Sequence, residues 1–129
     1  MATISLLVRS SPFAGDHHYI AMDFIRAAVA SGHTIRRVFF YQDAVYAALN
    51  SQQPVQGQTP LASQWSELAA DAGFPLQVCI ANALRRGIAD EAEQKRYGLN
   101  ALTCAGGFEL AGLGEMAEAA ADSDRVVEF

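Results

Sequence analysis

Cys79 is the residue whose surroundings most suggest chemistry. It lies near the end of the apolar run Leu76-Gln77-Val78-Cys79-Ile80, with Asn82 just beyond it and Arg85 and Arg86 six and seven residues on. In open parallel sheets, sites form beyond the carboxyl ends of strands, where loops and helix N-termini converge. A thiol at that position faces the positive end of a helix dipole, with Asn82 as the expected cap and two guanidinium groups close in sequence. Both influences favour thiolate over thiol. A thiolate there is able to attack a sulfane sulfur and hold it as a persulfide. The alternative is a small hydrophobe buried in a strand, the commonest fate of a free cysteine.

The other reactive side chains are less well placed. Cys104 sits between Thr103 and Ala105-Gly106-Gly107 in an expected loop. It is either a resolving thiol for Cys79 or an incidental one, since no CxxC spacing pairs it with anything. His17-His18 and His33 lack a carboxylate or thiol at ligand spacing, so no metal is expected, and packed or solvated imidazoles are the simpler reading. Gly112-Leu113-Gly114 lacks the third glycine of a phosphate-binding loop, and a tight turn explains it, so no cofactor is expected. Trp65 and Phe39-Phe40-Tyr41 are read as core or subunit contacts.

Five short runs would have to position these groups. Ile4–Val8, Ile35–Tyr41, Leu76–Ile80, Phe108–Leu110 and Arg125–Phe129 read as strands. Between them, a helix is expected over about His18–Ser31 with Ile20, Phe24, Ala27 and Ala28 on its apolar face and Ile25 and Val29 beside them. Gly32 ends it. A short helix over Asp43–Leu49 precedes a loop over Asn50–Thr59. Thr59 then caps a helix with Pro60 in its first position, a stripe of Leu61, Trp65, Leu68, Ala69 and Ala72, and Gly73 as its stop. Asp90 and Glu93 form a capping box on a helix that ends at Lys95-Arg96 before Gly98. A last helix spans roughly Leu113–Ala121. Strands alternating with helices imply right-handed crossovers and an α/β fold, a mainly parallel sheet with helices on both faces.

Bulk composition excludes several alternatives. The 129 residues suit one domain, 1–129, and 51% hydrophobic against 18% charged content is that of a globular chain. Nine Lys and Arg against fourteen Asp and Glu give a net charge of −5, unsuited to gripping nucleic-acid phosphates or an anionic membrane. Two cysteines do not make a disulfide scaffold, and the Met1–Val8 run has no basic flank like that of a signal peptide. A cytoplasmic location is the expectation.

Several blocks also carry a resemblance. Val38-Phe39-Phe40-Tyr41, Trp65, Val78-Cys79-Ile80-Ala81-Asn82-Ala83-Leu84-Arg85-Arg86-Gly87-Ile88, Asp90-Glu91, Gly112-Leu113-Gly114 and Asp124-Arg125-Val126-Val127 resemble, in this order, the DsrE/TusD sulfurtransferase family. Asn82 stands where alanine is common in that family. The resemblance implies a DsrE-like three-layer sandwich and a cytoplasmic heterohexamer with TusB- and TusC-like subunits. It implies that Cys79 takes a persulfide sulfur from a TusA-like donor and passes it to a TusE-like acceptor. That acceptor serves the formation of 2-thiouridine in tRNA. Two other readings stay open: DsrE-type sulfur transfer in dissimilatory sulfur oxidation, and a non-catalytic interaction subunit of the same complex.

Overall fold

Strand β1, Thr3–Val8, is buried along most of its length and lies between two other strands, as its unbroken apolar run requires. The computed structural model describes residues 1–129. Helix α1 (His17–Ala30) follows, then β2 (Thr34–Phe40) and a 3₁₀ helix over Gln42–Ala48. Helix α2 (Leu61–Ala72) leads into β3 (Leu76–Cys79), which passes directly into α3 (Ile80–Arg85). Helix α4 (Glu91–Tyr97), β4 (Phe108–Ala111), α5 (Leu113–Asp122) and β5 (Arg125–Glu128) complete the chain.

All strand pairs are parallel, and the sheet order is β4-β3-β2-β1-β5. From β1 to β4 the chain steps one strand at a time in one direction, so right-handed crossovers place their helices on one face. Only the return from β4 to β5 runs the other way, which puts α5 alone on the second face. Helices thus lie on both faces, as expected, but unequally.

Strand side chains alternate between the faces. Ile4, Leu6, Val8, Val38, Phe40, Leu76 and Val78 point into the main core with Met22, Ile25, Trp65 and Ile88. Phe39, Cys79 and Ala111 form a smaller cluster on the second face, against which Leu7, Tyr41 and Met116 of α5 pack.

Local expectations are corrected in five places. The buried face of α1 is His18, Ala21, Met22, Ile25 and Ala28, whereas Ile20, Ala27 and Val29 are exposed. Treating His18 as polar rotated the expected stripe. The helix after the loop begins at Leu61 with Pro60 as its cap, and the Thr59 hydroxyl caps nothing. The segment after β2 is a 3₁₀ rather than an α helix. Ile80 begins α3 rather than ending β3. The capping box on α4 is half made: Asp90 accepts from the Glu93 amide, while Glu93 Oε2 is buried without a partner.

Candidate functional site

Cys79 is the last residue of β3, and its register partner on β4 is Ala111, the last residue of that strand. The chain leaves β3 onto the first face, where Ala83 of α3 is buried in the main core. It leaves β4 onto the second face, where α5 begins. Adjacent strand ends whose connections part to opposite faces leave a crevice between them, the usual place for a site in a parallel sheet. Cys79 is nevertheless only 3% exposed, held in the cluster with Phe39 and Ala111.

The three residues expected to support Cys79 are distributed along α3. Asn82 does not cap the helix, because α3 starts two residues before it, with Cys79 itself in the capping position. Its side chain points across to the end of β2, where Oδ1 accepts the Gln42 amide at 2.6 Å. Gln42 has φ +52°, a left-handed conformation that costs a non-glycine residue roughly 1–2 kcal/mol. Asn82 therefore ties the turn leaving β2 to the helix leaving β3.

Arg85 is exposed, and Arg86 follows the last turn of α3. At about 1.5 Å per residue, the Arg86 backbone lies about 10 Å from that of Cys79. Its guanidinium is committed elsewhere, with Nε donating to Asp43 Oδ1 at 2.9 Å and Nη1 to the Asn82 carbonyl at 3.1 Å. The two arginines thus belong to the opposite end of α3 from the thiol. Spacing along the sequence placed them close to Cys79, but a helix carries successive residues away from its start.

A polar row beside Cys79 was missed by the sequence reading. Arg37 of β2 is only 7% exposed, and its Nη1 donates to Gln77 Oε1 at 3.0 Å and to the Glu115 carbonyl at 3.1 Å. Gln77 Nε2 in turn donates to Glu109 Oε1 at 2.8 Å. Gln77 precedes Cys79 by two residues and so shares its face of the sheet. The available signal was Gln77 between Leu76 and Val78, and Arg37 as the second of two arginines within an otherwise apolar strand run.

Cys104 lies in the main core, 6% exposed, and its backbone forms an isolated antiparallel bridge with Leu49. Its side chain and that of Cys79 are in separate clusters on opposite faces of the sheet. Burial, with Asp90 nearby, pushes its thiol up to about 11, which keeps it protonated near neutrality. It borders an open cleft of about 690 Å³ between Asn50, Gln53 and the start of α2, away from the ends of the strands. A smaller polar cleft of about 480 Å³ does lie at the carboxyl ends of β1 and β2. Its arginines are already paired, Arg9 with Glu128 at 2.8 Å and Arg86 with Asp43 at 2.9 Å.

His18 and His33 act structurally. His18 stacks on Phe40 and meets Trp65 edge-on. Its Nε2–H donates to the Ser10 carbonyl at 2.8 Å, and Nδ1 accepts from Trp65 Nε1–H at 3.1 Å. Burial lowers its pKa from 6.5, aided by His17 and opposed by the Ser10 bond. His33 Nδ1 accepts the Ala2 amide at 2.9 Å.

Residues 3–129 match the DsrE/DsrF-like family. The chain is 39% identical over 125 residues to "Sulfurtransferase TusD" of Cronobacter sakazakii, covering 97% of this chain and 98% of that protein. It is equally similar to the TusD proteins of Enterobacter sp. strain 638, over the same shares, and of Erwinia tasmaniensis, over 96% and 97%. Among solved structures, the ychN protein from E. coli superposes with a TM-score of 0.75 at 22% identity over the whole of both chains. A conserved protein of unknown function from Bacteroides thetaiotaomicron gives 0.58 at 12% identity, over 97% of this chain and 94% of that one. The two structures share the fold. The family match over nearly the full length and the 39% identity place this chain in the DsrE/DsrF-like family, among its sulfurtransferases.

Proposed function

We propose that this chain is a sulfur-relay subunit that carries sulfur as a persulfide on Cys79. The observation that carries this reading is the position of Cys79 at the carboxyl end of β3, where the exits of β3 and β4 part. The Cys79 thiolate attacks the terminal sulfur of a donor persulfide. The donor S–S bond breaks, its electron pair leaves with the donor thiolate, and a new S–S bond joins that sulfur to Cys79. An acceptor thiolate then attacks the same terminal sulfur and regenerates the Cys79 thiolate.

Phe39, Ala111 and Met116 give the thiol apolar neighbours, beside the polar row of Arg37, Gln77 and Glu109 on the same face. Cys104, on the other face and protonated near neutrality, takes no part. By analogy with the TusD proteins, the donor is TusA-like, the acceptor TusE-like, and the chain works in the cytoplasm with TusB- and TusC-like subunits. The sulfur ends as 2-thiouridine in tRNA. The net charge of −5 favours handing sulfur to proteins over direct contact with tRNA.

Reconstitution tests the role as a whole. Donor, this chain with its partner subunits, acceptor and the thiolating enzyme are combined with tRNA, and 2-thiouridine is quantified. Wild type should support thiolation, and Cys79→Ser should abolish it while the complex still assembles. Thiolation that persists with Cys79→Ser would overturn the assignment.

A further inference from the structure

Burial of Cys79 raises the question of what uncovers it, and the arrangement around Arg37 answers it. Helix α5 is the sole helix on the second face, and its Met116 packs against the Phe39–Cys79–Ala111 cluster. The residue before Met116, Glu115, is where Arg37 holds the helix. Nη1 donates to its carbonyl at 3.1 Å and lies 3.6 Å from its Oε2. The same Nη1 donates to Gln77 Oε1 on the strand that ends in Cys79.

A buried guanidinium is costly unless its donors are met, and here Nε has no partner at all. An apolar side chain would serve the core of this face better, so the tie between β3 and the first turn of α5 is what this arginine adds.

Two glycines bracket the first residue of α5. Gly112 and Gly114 flank Leu113, and a Cβ added at either would meet nothing within 4 Å. Neither has a left-handed φ. Crowding and conformation therefore do not demand glycine at these positions, and what remains is the backbone freedom that glycine confers.

We propose that Arg37 is a positioning residue of the Cys79 site: it fastens the first turn of α5 over the thiol, and release of that contact, with bending at Gly112 and Gly114, admits the reaction partner. Its importance for sulfur transfer rests on the reading of Cys79 as the carrier.

The test is alkylation of the native full chain by iodoacetamide, with both cysteines followed in the same sample by peptide mass spectrometry. Cys104, buried on the opposite face, reports any general loosening. Loss of the fork in Arg37→Lys should speed Cys79 labelling roughly fivefold, the effect of easing a local opening by the worth of one tethering contact, and leave Cys104 unchanged. Replacing both glycines with alanine should slow Cys79 labelling. Where Arg37→Lys fails to fold, Glu115→Ala, at a half-exposed position, removes the 3.6 Å carboxylate contact while keeping the carbonyl that accepts from Arg37, and should speed Cys79 labelling in the same direction but by less.

Equal acceleration of both thiols, or no change at Cys79, would overturn the proposal. Labelling reads access alone. A chain that labels as described yet gains no sulfur contradicts the carrier reading only, and one that gains sulfur with unaltered labelling contradicts the role of Arg37 only.

Discussion

Cys79 and Ala111 are register partners at the carboxyl ends of β3 and β4, and both are buried in one small cluster on the face that only α5 covers. The small side chain of Ala111 leaves the thiol its room. Ala111→Val adds bulk directly beside Cys79. Overpacking of this kind costs about 1–3 kcal/mol. Urea unfolding should show that loss, and sulfur uptake from a donor should slow by more than the unfolded fraction explains. Uptake at the wild-type rate would separate Ala111 from the site.

Asn82 serves a turn rather than a helix cap, which sets the expected effect of its removal. Asn82→Ala leaves the Gln42 amide without its 2.6 Å acceptor, at a cost of about 1 kcal/mol for one hydrogen bond. Gln42→Gly in that background should recover part of the loss, because glycine accepts φ +52° without strain. Thermal unfolding of the single and double variants measures both. No recovery would mean that the turn is not the strained element.

His18 makes stability depend on acid. Its pKa is lower in the folded chain than the 6.5 of a free imidazole, chiefly through burial, so the unfolded chain binds the proton more readily. The stability it contributes is complete above pH 6.5 and is lost as pH falls through 6.5 toward the folded value. Protonation also removes the Nδ1 lone pair that accepts from Trp65. Urea midpoints measured from pH 8 to pH 5 should fall on the acid side, with a shallower fall in His18→Phe. Identical profiles would remove His18 as the cause.

Cys104 acts at the opposite end of the pH scale. Its thiol is raised from 9.0 to about 11, so its contribution to stability is complete below pH 9 and is lost as pH rises from there through about 11. Cys104→Ala should flatten stability across that interval and leave sulfur uptake at pH 7.5 unchanged. Uptake lost in this variant would give Cys104 a part in the chemistry.

The elements and their order were legible because apolar runs, glycine stops and the Asp90 cap are local signals. Cys79 at a strand end was legible for the same reason. Side-chain partnerships across elements were not. Asn82 reaches Gln42, forty positions away in sequence, and Arg37 reaches Glu115 and Gln77 through crossovers that no window along the chain contains. His18 misled the helix stripe because an imidazole with both nitrogens bonded packs like an apolar ring. The arginines of α3 misled through short spacing, since Arg86 turns to Asp43 instead of the thiol.

The central claim is that sulfur resides on Cys79. Its most direct test is a single-turnover reaction of the full chain with a persulfidated donor, trapped by alkylation and mapped by tandem mass spectrometry. One additional sulfur atom on the Cys79 peptide, none on the Cys104 peptide, and none anywhere in Cys79→Ser is the predicted result. Sulfur on Cys104, or a chain that gains none, would contradict it.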